Sequence, residues 1–203
     1  MKKILLIALS LLMISNVNAQ KREHLLGVRA GYNISSLDTR PDLSAKGITT
    51  YQNYSVVYTL YHDLWGKINL FGFQAAVSKS EQGYMLGEDI YRYDVISVPL
   101  ISLFHFDFWN MRLLINAGCF GGYRTNKLNA DGSGFDDFDK RFDYGFIVGG
   151  GFAFVFKPFE VHLEGNYNYS LSYLHDPKKY SETDYLFTYP HQLIFSVTLN
   201  IHL

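Results

Sequence analysis

Cysteine is almost missing: Cys119 is the only one in 203 residues, which excludes an intrachain disulfide. Proline occurs only five times and tryptophan twice. Past residue 19 there is no run of 18 apolar residues, so no helix of this chain spans a bilayer. A basic surplus is missing as well. The whole chain carries 18 Lys and Arg against 19 Asp and Glu, and nucleic-acid binding, which needs a positive footprint, gains no support. A 3.6-residue apolar period is also lacking after Gln20, which leaves little for helices to be built from.

The first residues that are present read as an address. Lys2 and Lys3 are followed by the apolar run Ile4 to Ile14 and by the small residues of Val17-Asn18-Ala19, the pattern of a cleaved export signal. Residues 1–19 are therefore expected to be a signal peptide and 20–203 one domain. No cysteine stands at the cleavage site to carry a lipid, so a lipoprotein is not expected. Removing Lys2 and Lys3 from the 18 basic residues leaves 16 against 19 acidic, a net of −3.

The rest of the chain is rich in rings, with 16 Tyr and 16 Phe, and it alternates. Leu26, Val28, Ala30, Tyr32 and Ile34 alternate with Gly27, Arg29, Gly31 and Asn33, the period of a strand with two unlike faces. The same rule sets Tyr54, Val56, Tyr58 and Leu60 against Ser55 and Thr59, and Phe71, Phe73, Ala75 and Val77 against Gly72, Gln74, Ala76 and Ser78. In the more apolar fourth segment Ile96, Val98 and Leu100 share a face opposite Ser97 and Pro99. Leu113, Ile115, Ala117 and Cys119 then oppose Arg112, Asn116 and Gly118. Tyr144, Phe146, Val148, Phe152, Phe154 and Phe156 oppose Asp143, Gly145, Gly149 and Gly151. Val161, Leu163, Tyr167 and Tyr169 oppose His162, Glu164, Asn166 and Asn168, and the last segment sets Leu193, Phe195, Val197, Leu199 and Ile201 against Gln192, Ser196, Thr198, Asn200 and His202.

Eight such segments predict an all-β, eight-stranded antiparallel up-and-down barrel that crosses a bacterial outer membrane, its edges closed because lipid satisfies no free backbone group. A soluble lipocalin also closes eight strands, but its apolar face points inward and its first strand usually carries Gly-x-Trp, where this chain has Gly31-Tyr32-Asn33. Short connections at His62–Gly66, Phe108–Asn110 and Lys157–Phe159 alternate with long polar ones at Ser35–Thr50, Lys79–Asp89, Arg124–Arg141 and Leu174–Pro190. That asymmetry puts the short turns and both termini in the periplasm. Trp65 and Trp109, each in a short turn, are expected to anchor the periplasmic interface, with Tyr51, Tyr91, Tyr123, Tyr144 and Tyr173 in the outer girdle.

An eight-stranded lumen has little room, which suits the glycines of the polar face. Arg29, Arg112, Asp143 and Glu164 provide two charges of each sign to pair there, and with Gln74 and Asn116 they are the expected lumen network. A lumen filled in this way is not an open pore.

GVRAGYNISSL at residues 27–37, FGFQAAVSKSEQGY at 71–84, ISVPLI at 96–101, INAGCFGGY at 115–123, FDYGFIVGGGFAF at 142–154 and VHLEGNYNYSL at 161–171 together resemble the PorT-like outer-membrane β-barrel family, akin to the small OmpA-type barrels. The chain departs from that pattern at Ser97, where an acidic residue is common, and at its end, Leu203 in place of an aromatic residue. The resemblance implies an envelope role, and one similar protein type is an accessory of protein secretion.

Chemistry-bearing clusters are few. Asn129, Asp131, Ser133, Asp136, Asp137 and Asp139 resemble an oxygen-rich calcium loop, but the first and twelfth positions hold Asn129 and Lys140 in place of acids, so a solvated loop is expected. His175 and Asp176 with Ser170 or Ser172 form the only local hydrolase-like set, without a nucleophile elbow. His24, His162 and His202 share no ligand spacing and are expected as lumen or interface residues. No enzyme, cofactor or metal is expected. The expected partners are outer-membrane lipid and other envelope or secretion proteins, and the functional alternatives are a small transport channel and a lipid-modifying enzyme. Trypsin added to intact cells is predicted to reach Arg124, Lys127, Lys140 or Lys178 and to spare Lys67 and Lys157; digestion peptides read by mass spectrometry check this, and the reverse pattern would invert the topology.

Overall fold

The computed structural model describes residues 22–43, 45–64, 68–128, 134–179 and 185–203. The expected signal peptide and Trp65 lie outside these residues. β1 (Arg22–Arg40), β2 (Lys46–Leu64), β3 (Ile68–Leu86), β4 (Asp89–Phe108), β5 (Met111–Leu128), β6 (Phe142–Phe156), β7 (Phe159–Ser170) and β8 (Phe187–His202) follow one another around a closed barrel. Each strand pairs antiparallel with the next, and β1 returns to β8 from Leu25 opposite His202 to Arg40 opposite Phe187. The fold is therefore the one the alternation implied, an all-β ring of eight antiparallel strands.

The faces are as the period of two dictates. Val28, Val56, Val77, Phe146, Val148 and Val197 point out and are more than half exposed, while Arg29, Ser55, Gln74, Asn116, Glu164 and Thr198 point in and are buried. The fourth strand keeps the same register, with Ile96, Val98 and Leu100 outside and Pro99 inside. The inside is not uniformly polar, however. Leu25, Tyr61, Ile101, Leu103, Phe120 and Ile147 form an apolar cluster within the lumen, and Leu37, Tyr84, Tyr93, Val95 and Leu174 form another toward the outer end.

Two of the connections expected to be long are strand for most of their length. Ser35–Arg40 belongs to β1 and Lys46–Thr50 to β2, and β3 runs on to Leu86 before a turn at Gly87 and Glu88. Polar residues on both faces mimic a loop in sequence, but the ladder of backbone hydrogen bonds needs no particular side chain, so the hairpins continue outward. The β5–β6 and β7–β8 connections remain long. On the opposite end Trp109 makes the β4–β5 turn with Asn110, in the left-handed region at φ 53° and fully exposed. Of the tyrosines expected in the outer girdle, Tyr51, Tyr123 and Tyr144 are exposed on the outside of the barrel. Tyr91 is not among them: it stacks on Tyr84 at 5.0 Å, inside the outer mouth. Burial also corrects the protease expectation, because Arg124 and Lys127 are enclosed, leaving Lys140 and Lys178 as the exposed outer sites.

Close strand approach fixes several glycines. A Cβ on Gly145 would collide with the Tyr169 backbone carbonyl, and one on Gly118 with that of Leu100, whereas one on Gly121, which faces outward, meets nothing within 4 Å. Gly145→Ala is expected to destabilise the barrel by about 1–3 kcal/mol and Gly121→Ala to be tolerated; urea unfolding of the two variants in vesicles checks the contrast, and equal midpoints would contradict the strand packing.

Candidate functional site

The barrel wall brings together four of the expected lumen residues and separates two. Arg29 on β1 donates through Nη2 to Glu164 Oε2 on β7 at 2.7 Å and to Gln74 Oε1 on β3 at 2.7 Å, and through Nε to Thr198 at 2.9 Å. Asn116 on β5 donates to the other oxygen of Glu164 at 2.8 Å and to Asn166 at 3.0 Å. Arg29, Gln74, Asn116 and Glu164 thus form one buried network across the middle of the lumen, with the Arg29 and Glu164 side chains 7% and 0% exposed. Their inward positions are legible from the alternation. The pairing follows from the ring, in which a single strand separates β1 from β3, β1 from β7 and β5 from β7.

Arg112 and Asp143 do not join this network, nor do they meet each other. Arg112 lies at the end with the short turns, where Nη2 donates to Glu23 at 2.6 Å and Nη1 stands 3.7 Å from Glu160, its guanidinium 4.3 Å over the Tyr61 ring. His162 and His202 both turn a ring nitrogen to Glu160, at 2.9 and 3.0 Å, so they are lumen residues as expected; His24 faces the Tyr58 hydroxyl at 2.7 Å. Glu23, Glu160 and His202 bring ligand-type atoms within 4.8 Å of one another. Arg112 hydrogen-bonds Glu23 and forms an ion pair with Glu160, so the guanidinium already takes the place a cation would have.

Asp143 belongs to a third cluster near the outer end. Arg124 Nη2 lies 3.1 Å from its Oδ1, Gln82 donates to Oδ2 at 2.8 Å, and Ser172 donates to Oδ1 at 2.8 Å. Between this cluster and the Arg29 network lies a small cavity of about 40 Å³, lined by polar residues such as Asn53 and Ser78 and by apolar ones such as Ile101 and Phe120. At roughly 10–15 Å³ per water centre, it has room for a few waters.

Above Asp143 the described parts of the two long loops meet. Asp139 and His175 pair as an isolated antiparallel bridge, Lys140 N–H donates to the Leu174 carbonyl at 3.0 Å, and Asp176 N–H donates to the Phe138 carbonyl at 2.7 Å. The Asp139 carboxylate accepts from Lys127 at 2.6 Å, from Lys179 at 3.1 Å and from the Asp136 N–H at 3.0 Å, and lies 2.6 Å from His175 Nδ1. Burial works against its charge, yet the His175, Lys127, Asp136 and Lys179 donors win and hold the carboxyl well below the usual carboxylate range. Burial pushes the His175 imidazole below its ordinary value, and Lys179 and Lys127 add to this against the pull of Asp139. A neutral His175 donating from Nδ1 fits both shifts.

The hydrolase-like set is not assembled. His175 is engaged by Asp139 and faces Tyr84, Ser172 bonds Asp143, and Asp176 pairs with Lys140 at 2.9 Å. Residues 129–133 of the acidic loop lie outside the described residues; Asp139, at its end, is taken by Lys127, Lys179 and His175. The alternation alone does not single out Arg124, Glu160, Glu23 or Lys127, because each sits at a strand end where neither neighbour reveals which way it points. Glu164→Ala leaves the Arg29 guanidinium buried without its carboxylate and is expected to cost about 3–5 kcal/mol, whereas replacing both Arg29 and Glu164 with Met is expected to be close to neutral. Unfolding free energies in vesicles check this, and a single variant as stable as the double one would contradict a buried ion pair.

No family model matches the chain, and no curated protein matches it. Among solved structures it is similar to Neisserial surface protein A, with 11% identity and a TM-score of 0.48 over 88% of this chain and 97% of that one. It is also similar to the outer membrane protein OprG from Pseudomonas aeruginosa, at 7% and 0.49 over 93% and 100%. A third is Ail, the attachment invasion locus protein of Yersinia pestis, solved in complex with the heparin analogue sucrose octasulfate, at 14% and 0.41 over 87% and 99%. Such distant likeness says nothing of activity, and the fold rests on this chain's own ring of strand pairs: it is an eight-stranded antiparallel β-barrel.

Proposed function

We propose that this protein is an outer-membrane β-barrel of the bacterial envelope whose lumen is a structural core and whose working surface is its outer loops or its periplasmic rim. The observation that supports this most is the reversal of faces: apolar side chains cover the outside while ion pairs and amides fill the inside. In water such a wall would leave an apolar surface far beyond the few hundred Å² that soluble proteins tolerate, and lipid removes that cost.

The filled interior favours a non-conducting, non-enzymatic scaffold over the channel and the lipid-modifying enzyme. Ions would have to cross the Arg29–Glu164 network and the apolar clusters, and His175 Nδ1 is engaged by Asp139. Within this reading the role suggested by the PorT-like motifs is an accessory of protein secretion, working through contacts with other envelope proteins. Scaffolds of this kind carry function on loops, and here the Asp139 hub links the described parts of two of them.

The purified protein in planar bilayers is expected to add no steady ion-conducting steps. Reproducible steps from the unaltered protein would overturn the filled-lumen reading. In a deletion strain the secretion role is expected to show as proteins missing from the medium or the cell surface, and an unchanged secreted proteome would exclude it.

A further inference from the structure

The outer wall is uneven. Much of it is covered by long side chains such as Phe104, Phe106, Phe146 and Phe152, but midway along β8, β1, β2 and β3 a patch of outward positions is short or branched. Val28, Ala30, Val56, Val77, Val197 and Leu199 floor a shallow trough of about 690 Å³ there, with Tyr54 and Lys79 on its border. Lys79 lies opposite Tyr54 on β2 and Ile96 on β4.

Lys79 marks the outer limit of the apolar band. On β3 the outward residues before it are Phe71, Phe73, Ala75 and Val77, and on β4 the outward residue after Ile96 is Asp94. Its charge is also left over. Arg92 pairs with Glu81 at 3.5 Å, Arg40 with Asp38 at 3.8 Å, and Arg141 lies 4.5 Å over the Phe135 ring. Asp94 is turned to Asn126 at 3.5 Å. Lys79 is exposed and forms no ion pair among the described residues.

We propose that this trough is a lipid site: an acyl chain lies along the valine floor and the anionic phosphate of its headgroup rests on the Lys79 ammonium. The apolar channel and the unmatched cation at its end are the two parts of such a molecule in register. Valine and alanine leave room for the chain that phenylalanine at the same positions would fill. A cation at the headgroup level is worth about fivefold in preference for an anionic over a zwitterionic lipid. The site rests on the reading that the barrel spans a membrane.

Native mass spectrometry of the folded protein from micelles doped with equal phosphatidylglycerol and phosphatidylcholine tests it. One retained lipid is expected, phosphatidylglycerol favoured about fivefold, with the preference gone in Lys79→Gln. Val56→Phe, which fills the trough, is expected to lower retention of both lipids. Equal retention by the unaltered protein, or an undiminished preference in Lys79→Gln, would overturn the proposal. So would loss of the preference on adding millimolar inorganic phosphate, which would make the site one for the free anion. Failure to fold into vesicles of either lipid, read from the absence of a heat-shifted gel band, would instead overturn the membrane reading itself.

Discussion

Everything in this molecule depends on the meeting of β1 and β8. Without that pairing, from Leu25 opposite His202 to Arg40 opposite Phe187, the sheet would have two free edges of backbone donors and acceptors. An apolar surrounding satisfies none of them, at a cost of several kcal/mol for each group. Closure removes the edges, and it also creates an inside. Once the ring is shut, every second residue of each strand is committed to a narrow lumen and the others to the wall.

The lumen then explains the chain's odd use of charge. Arg29, Glu164, Arg124, Asp143, Arg112 and Glu160 are all buried or nearly so, and a buried charge is tolerable only when paired and hydrogen-bonded. The structure meets that condition by layering. Arg112 is met by Glu23 and Glu160 at the end with short turns, Arg29 by Glu164 and Gln74 in the middle, and Arg124 by Asp143 toward the mouth. Apolar clusters around Phe120 and Tyr93 add to the filling. Asp139 then ties the two long loops together over the top through Lys127, Lys179 and His175.

The fold was legible in the sequence because the period of two is a direct consequence of strand geometry, and each apolar face, from Leu26–Ile34 to Leu193–Ile201, falls on the outside as read. What the sequence hid has physical reasons too. Ser35–Arg40 and Lys79–Leu86 continue as strands because backbone pairing persists where both faces are polar. Tyr91 turns inward because its register, not its chemistry, sets its face. The six expected lumen residues all point inward, but sequence distance does not say who meets whom. Arg112 and Asp143 sit near opposite ends of the barrel, so they pair with Glu23 and Arg124, residues at strand ends where alternation is weakest.

The described residues put apolar side chains on the outside of the ring, charged and amide side chains inside it, and the Asp139 hub over one end. All of this fails if the ring is open. Amide hydrogen exchange of the protein in phospholipid nanodiscs tests closure most directly, because Val28 and Leu199 face each other across the seam while Val148 and Ala117 face each other within the wall. The account predicts that the seam amides exchange as slowly as those of Val148 and Ala117. Exchange at Val28 and Leu199 orders of magnitude faster than at Val148 would contradict it.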